Sequence, residues 1–194
     1  MATSSSRSPE VLPDRRQWLT WAGVLALPVS AQTADPVARP LRQGGHVVIL
    51  RHAQTVAGVG DPPGFRIDLC STQRNLSEEG REQSRRIGQW FQSNRLAPRA
   101  VLTSAWCRCI DTADLAFGRH VIWPALNSFF DGRQSEPSQT AALRAALTRV
   151  PAGQFEVWVT HQVNITALTG EVPAMGEVVV VDAQGKMVAR SHLR

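Results

Sequence analysis

Lysine is nearly absent from this 194-residue chain. Lys186 stands alone among 21 Lys and Arg residues, so the formal net charge of +5 rests on arginine. No basic run exceeds a pair and none interleaves with aromatic residues, which argues against the charged face of a nucleic-acid binder. A general positive field that draws in anionic substrates fits better, with an arginine-biased genome as the equal alternative. The chain also lacks a CxxC motif and any pair of histidines at helical spacing, so no zinc pattern is present. Its long apolar stretch, Trp18 to Val29, is shorter than the roughly 20 residues of a membrane span. Internal repeats are missing, and 43% hydrophobic with 19% charged content describes an ordinary globular protein, not a disordered one. This length permits one compact domain plus a targeting segment.

Residues 1–31 read as that segment. Arg15-Arg16 precedes Gln17-Trp18-Leu19 and the apolar core, and Val29-Ser30-Ala31 places small residues where a signal peptidase cuts. The paired arginines resemble a twin-arginine export signal, the alternative being a general secretory signal with incidental arginines. Cleavage would remove Arg7, Arg15, Arg16, Glu10 and Asp14, three positive and two negative groups, taking the net charge from +5 to +4. The mature protein is expected outside the cytoplasm, in the periplasm, with no stable membrane insertion. Export raises the question of a disulfide among three cysteines. Cys107 and Cys109 would point to different sides of a helix, so Cys70 with one of them is the plausible bridge; three reduced cysteines are the alternative.

Residues 32–45, rich in Pro, Ala, Gln and Gly, read as a flexible lead-in to a domain over 46–194. Val47–Leu50 is a continuous apolar run, the pattern of a strand buried on both faces. A long Gly- and Pro-rich connection, 53–75, leads to a helix that Ser77 can cap. Gly80, Ser84, Ile87, Gly88 and Phe91 recur on one face of that helix, small enough to let it lie close to a sheet. Further strands are predicted over Ala100–Thr103, Val121–Trp123, Phe155–Thr160, Glu177–Val181 and Met187–Arg190. Helices are predicted over 105–116, 138–149 and from Asn164 to Leu168. A hairpin with Gly185 at its turn joins the last two strands. Alternating strands and helices predict an α/β three-layer sandwich with a mostly parallel central sheet.

Ligands in such sheets bind beyond the carboxyl ends of the strands. Three strand ends carry similar cargo here: Arg51-His52, the segment Ser104 to Arg108, and Thr160-His161. Two arginines and two histidines gathered there suit a phosphate dianion, because the planar arginine fork binds phosphate in a bidentate way and a helix N-terminus adds backbone donors.

Arg51-His52-Ala53-Gln54-Thr55 resembles the first signature of the histidine phosphatase (phosphoglycerate mutase-like) superfamily. Ser104-x-x-x-Arg108-Cys-x-x-Thr112-Ala113 resembles its second arginine block, and Val157-x-Val159-Thr160-His161 the block of its second histidine. Asn75-Leu76-Ser77-x-x-Gly80-x-x-Gln83-Ser84 resembles the helix start between them. The resemblance implies a phosphoglycerate mutase-like fold and a phosphatase without metal or cofactor. His52 would be the nucleophile, and Arg51, Arg108 and His161 would hold the phosphoryl oxygens. Arg74 matches a further phosphate-pocket arginine of the small single-domain phosphohistidine phosphatases.

Two departures stand out. Ala53 replaces a glycine, and the acid that protonates the leaving group is missing from both of its usual places. Leu126-Asn127-Ser128 stands in one and Gln162 in the other. Asp68, Asp131 and Glu136 are candidates by neighbourhood only, and a good leaving group would need little protonation. The expected partner is a small phosphorylated substrate, such as an envelope phosphosugar, and no nucleic acid. A non-catalytic phosphate-binding protein that keeps the pocket is the alternative, and export argues against a glycolytic mutase.

Overall fold

The computed structural model describes Met1, residues 35–58 and residues 60–193. The chain divides into two units, Met1–Thr33 and Ala34–Arg194, and all elements described below lie in the second. The export signal expected over 1–31, with Arg15, Arg16 and cleavage at Ala31, lies outside the described residues apart from Met1.

Six strands form one sheet: β1 (His46–Arg51), β2 (Ala100–Thr103), β3 (Val121–Ile122), β4 (Phe155–Thr160), β5 (Glu177–Val181) and β6 (Met187–His192). Their order is β3-β2-β4-β1-β5-β6. The first four are mutually parallel, while β5 runs antiparallel to both β1 and β6. The apolar run of β1 is buried on both faces because successive side chains point to opposite sides. Val48 and Leu50 join Val157 and Val159 in one core, whereas Val47, Ile49 and Trp158 join another. The first core is covered by α1 (Ala38–Gln43), α2 (Glu78–Ser93) and α3 (Cys107–Phe117). The second is covered by α4 (Glu136–Leu147) and α5 (Gln162–Thr169). The architecture is the mostly parallel three-layer α/β sandwich expected.

The lead-in differs from expectation. In its described part, residues 35–45, α1 occupies 38–43. Six residues cannot sustain a helix in water. Burial supplies what propensity does not: Val37 and Leu41 are at most 1% exposed, each worth about 1.5–3 kcal/mol. Asp35 pins the segment, accepting bonds from the Val37 amide at 2.8 Å and the Trp90 indole at 3.0 Å.

Ser77 caps α2 as expected, accepting from the Gly80 amide at 3.1 Å. The two glycines of α2, however, make their close approaches elsewhere than on the strands. A side chain at Gly88 would collide with the Ala116 backbone of α3, and one at Gly80 with the Gln54 backbone just after β1. The close approach is therefore to the neighbouring helix and to the chain leaving His52. Cys70 bonds to Cys107, fastening the long loop to the first residue of α3, and Cys109 is left free and buried. In the β5–β6 turn, Gly185 takes φ 78° and the Asp182 carboxylate accepts from the Gln184 and Lys186 amides, each at 2.9 Å.

Candidate functional site

Because β2, β4 and β1 are adjacent and parallel, their carboxyl ends lie on one edge of the sheet. Arg51 pairs with Thr160 in register, and Thr103 with Val159. The ladder continues one step further: the His52 amide donates to the Thr160 carbonyl and the Ser104 amide to the Val159 carbonyl, each at 3.0 Å. His52 and His161 thus emerge side by side, with ring centroids 5.5 Å apart in an edge-to-face arrangement. Arg108 comes from the first turn of α3, and Arg74 from the loop before α2. All five expected residues, Arg51, His52, Arg74, Arg108 and His161, line one cavity of about 580 Å³.

His52 is 3% exposed, and its Nδ1 lies 2.9 Å from the Ala53 carbonyl. A carbonyl only accepts, so Nδ1 carries the proton and Nε2 keeps its lone pair. Burial, followed by the charge of Arg108, lowers the His52 pKa to about 3, so the ring is neutral at pH 7. The alanine at 53 does no harm to this arrangement. Its φ is not in the left-handed region, and its amide donates to Thr112 Oγ1 at 3.0 Å. His161 is likewise held neutral, by burial first and by Arg108 second. Its Nε2 lies 2.8 Å from Ser104 Oγ.

The cations crowd one another. Burial and the charges of Arg74 and Arg108 lower the pKa of Arg51, and burial with Arg108 lowers that of Arg74. The Nε atoms of Arg51, Arg74 and Arg108 are all buried without a hydrogen-bond partner. Three such guanidinium groups around neutral imidazoles have the charge and donor geometry to receive a multiply charged oxyanion. Among the described residues no group of three His, Cys, Asp or Glu side chains could hold a metal ion. Nor is Cys109 a nucleophile at neutral pH, since burial pushes its thiol up to about 12.

Of the two positions where an acid is missing, one holds Ser128, which lines the cavity, and the other Gln162; the neighbouring Asn127 and Gln162 have other tasks. Asn127 Oδ1 accepts from the Ala105 amide at 2.8 Å and from Ser104 Oγ at 3.3 Å, steadying the hydroxyl beside His161. Gln162 Oε1 accepts from Arg51 Nη1 at 3.0 Å. Of the three acids named by neighbourhood, Asp131 lines the cavity. Asp68 pairs with exposed Arg66, and Glu136 pairs with Arg133; neither lines it. The acid that sequence reasoning missed is Asp61. It lines the same cavity and pairs with Arg108 at 2.8 Å, with both side chains about 95% buried. Its one sequence signal is the Asp-Pro-Pro-Gly turn inside an unusually long loop.

Residues 47–129 match the family model of the histidine phosphatase superfamily (branch 1), the segment that carries Arg51, His52, Arg74 and Arg108. Over that segment the chain is similar to the histidine phosphatase superfamily. The fold agrees. TTHB049 of Thermus thermophilus superposes with a TM-score of 0.53 at 18% identity, over 75% of this chain and 98% of that one. SixA of Agrobacterium tumefaciens, provisionally described as a phosphohistidine phosphatase, superposes with a TM-score of 0.51 at 22% identity. That match covers 76% of this chain and 97% of that one. No curated protein sequence matches the chain. Among histidine phosphatase signatures, the second-histidine block around His161 lies beyond the matched segment. The pairing of β4 with β1 places it in the site regardless.

Proposed function

We propose that the protein is an exported phosphatase that hydrolyses a small phosphomonoester through a phosphohistidine on His52, without a metal. The observation that carries this reading is the His52 tautomer, a neutral imidazole with Nε2 unprotonated in a cavity ringed by three arginines. Nε2 attacks phosphorus and the ester oxygen leaves, after which water cleaves the P–N bond and releases phosphate. Arg51, Arg74, Arg108 and His161 hold the phosphoryl oxygens and stabilise the charge that builds on them. The positive charge of the three arginines supplies what a metal ion supplies elsewhere.

The Cys70–Cys107 disulfide supports an oxidising compartment, in keeping with the export signal read in residues 1–31. Phe65, Trp106 and Phe130 line the same cavity as the arginines and suit a substrate larger than phosphate itself. A phosphorylated sugar of the cell envelope fits that location and those stacking faces. The A. tumefaciens relative, with its provisional phosphohistidine phosphatase assignment, is in keeping with phosphatase chemistry on this fold.

The test is to quench turnover of an aryl phosphate in alkali, where phosphohistidine survives, and to map the label. Phosphate on His52, activity undiminished by chelator, and a His52→Ala variant that still binds vanadate but does not turn over are the expected results. A protein that binds phosphate, never labels His52 and hydrolyses no ester is a binding module instead.

A further inference from the structure

The proposed reaction leaves one task unassigned, protonation of the departing oxygen. Asp61 projects into the cavity from the loop after β1, flanked by Gly60 at φ 69° and by Pro62. Its carboxylate is saturated. Oδ1 accepts from Arg108 Nη1 at 2.8 Å and from the Arg74 amide at 3.0 Å. Oδ2 accepts from Arg108 Nη2 at 3.2 Å and from the Trp106 indole at 3.0 Å. Planar oxygens in a guanidinium fork are what a phosphoryl group presents to the same arginine. The carboxylate therefore stands where substrate oxygens would compete for Arg108.

Building on the phosphatase reading, we propose that Asp61 is the catalytic proton donor, surrendering Arg108 to the bound phosphoryl group and carrying a proton to the leaving oxygen. The electrostatics favour the exchange. Burial alone would raise the Asp61 pKa, and the bonds from Arg108, the Arg74 amide and Trp106 outweigh it to hold the carboxyl below its usual range. Transfer of Arg108 to a phosphoryl oxygen removes the largest of those opposing contacts and places a negative charge beside the carboxylate. Both changes favour the protonated acid. Arg74, Arg51, His52 and His161 share the cavity, but the two imidazoles are neutral and the two remaining arginines are engaged by the phosphoryl group.

The proton balance closes. A substrate monoanion gives its phosphoryl proton to Asp61 as Arg108 takes over the oxygen. His52 Nε2 forms the P–N bond, the P–O ester bond breaks, and Asp61 protonates the departing alkoxide. The Asp61 carboxylate then accepts a proton from the water that attacks phosphohistidine, the P–N bond breaks and frees His52, and Asp61 returns that proton to the phosphate, which leaves as the monoanion while the carboxylate pairs with Arg108 again.

Leaving-group dependence tests this directly. Asp61→Asn keeps the shape and its one oxygen can still accept from Arg108 and the Arg74 amide, but its amide nitrogen cannot accept from Trp106 and carries no acidic proton to donate. General acid catalysis is worth roughly 10²–10⁴-fold. The variant should lose about that much kcat on an alkyl phosphate and on phenyl phosphate, and less than about tenfold on 2,4-dinitrophenyl phosphate. Its affinity for vanadate, measured by titration calorimetry, should rise because a competing carboxylate is gone. Equal losses across the ester series, or weakened vanadate binding, would overturn the proposal and leave Asp61 as a residue that positions Arg108. Unmutated protein supplies a control independent of folding: saturation with vanadate should produce a protonated-carboxyl infrared band that Asp61→Asn lacks. A wild-type protein inactive on every ester refutes the phosphatase reading itself, an outcome distinct from a uniform loss in the variant.

Discussion

Breaking the Cys70–Cys107 bridge should cost both stability and the geometry of the anion site. The two cysteines are 37 residues apart, and closing a loop of that length in the unfolded chain corresponds to about 3.8 kcal/mol on the loop-entropy relation. With a urea m-value of about 2 kcal/mol/M, the midpoint should fall by about 2 M. The effect does not stop at the unfolded state. Cys107 immediately precedes Arg108, and its amide donates to Gln73 Oε1 at 3.0 Å, so the bridge joins the Arg74 loop to the helix that carries Arg108. Loss of the bond lets Arg74 and Arg108 drift apart, and a phosphoryl group held by several arginines feels small displacements strongly. Urea titrations of native protein, of protein reduced with dithiothreitol and of the Cys70→Ser/Cys107→Ser variant, each paired with an aryl phosphate assay, would measure both consequences. Cys109 is buried and serves as an internal control, since it should resist alkylation until unfolding. A midpoint unchanged by reduction would refute the entropic argument. A lowered midpoint with undiminished kcat/KM would refute the claim that the bridge sets the site.

Acid should destabilise the protein earlier than its carboxylates alone require. The folded-state pKa of His52 is lowered to about 3 and that of His161 also falls, so below about pH 6.5 the unfolded chain holds protons that the folded chain lacks. Stability is therefore complete above that pH and is lost as pH falls, by up to about 1.4 kcal/mol per unit for each histidine. A thermal midpoint constant from pH 7 to 5 would contradict this. For the same reason His52 should place no acid limb near pH 6.5 in the kcat/KM profile of the free enzyme. Arg108→Ala should weaken vanadate binding and turnover together, by about 2–5 kcal/mol or roughly 30- to 5,000-fold, because a buried charge-assisted contact is removed. A variant that binds vanadate as wild type does would exclude Arg108 from the anion site. Replacing both Arg15 and Arg16 by lysine should abolish export of a mature protein beginning at Gln32, as judged by cell fractionation and N-terminal sequencing; unchanged export would reject the twin-arginine route.

What the sequence determined by itself was whatever local pattern encodes. The apolar runs of β1 and β4, the Ser77 cap and the Gly185 turn are short-range signals, and each element formed where its pattern stood. The cavity residues were legible for a related reason. A parallel sheet brings successive strand ends to one edge, so Arg51, His52, Arg108 and His161 could be gathered from topology before any distance was known. Tertiary structure decided what depends on partners far apart along the chain. Whether Cys70 meets Cys107 or Cys109 turns on which face of α3 looks toward the loop; residue 107 faces it, while residue 109 points into the core. The lead-in became α1 because Val37 and Leu41 found a core built by residues far along the chain. Asp61 and Arg108 are 47 residues apart, and no periodicity relates a loop carboxylate to a helix arginine. Such contacts form only when the sheet has set both backbones in place, so the carboxylate beside Arg108 in the cavity became visible only with the fold.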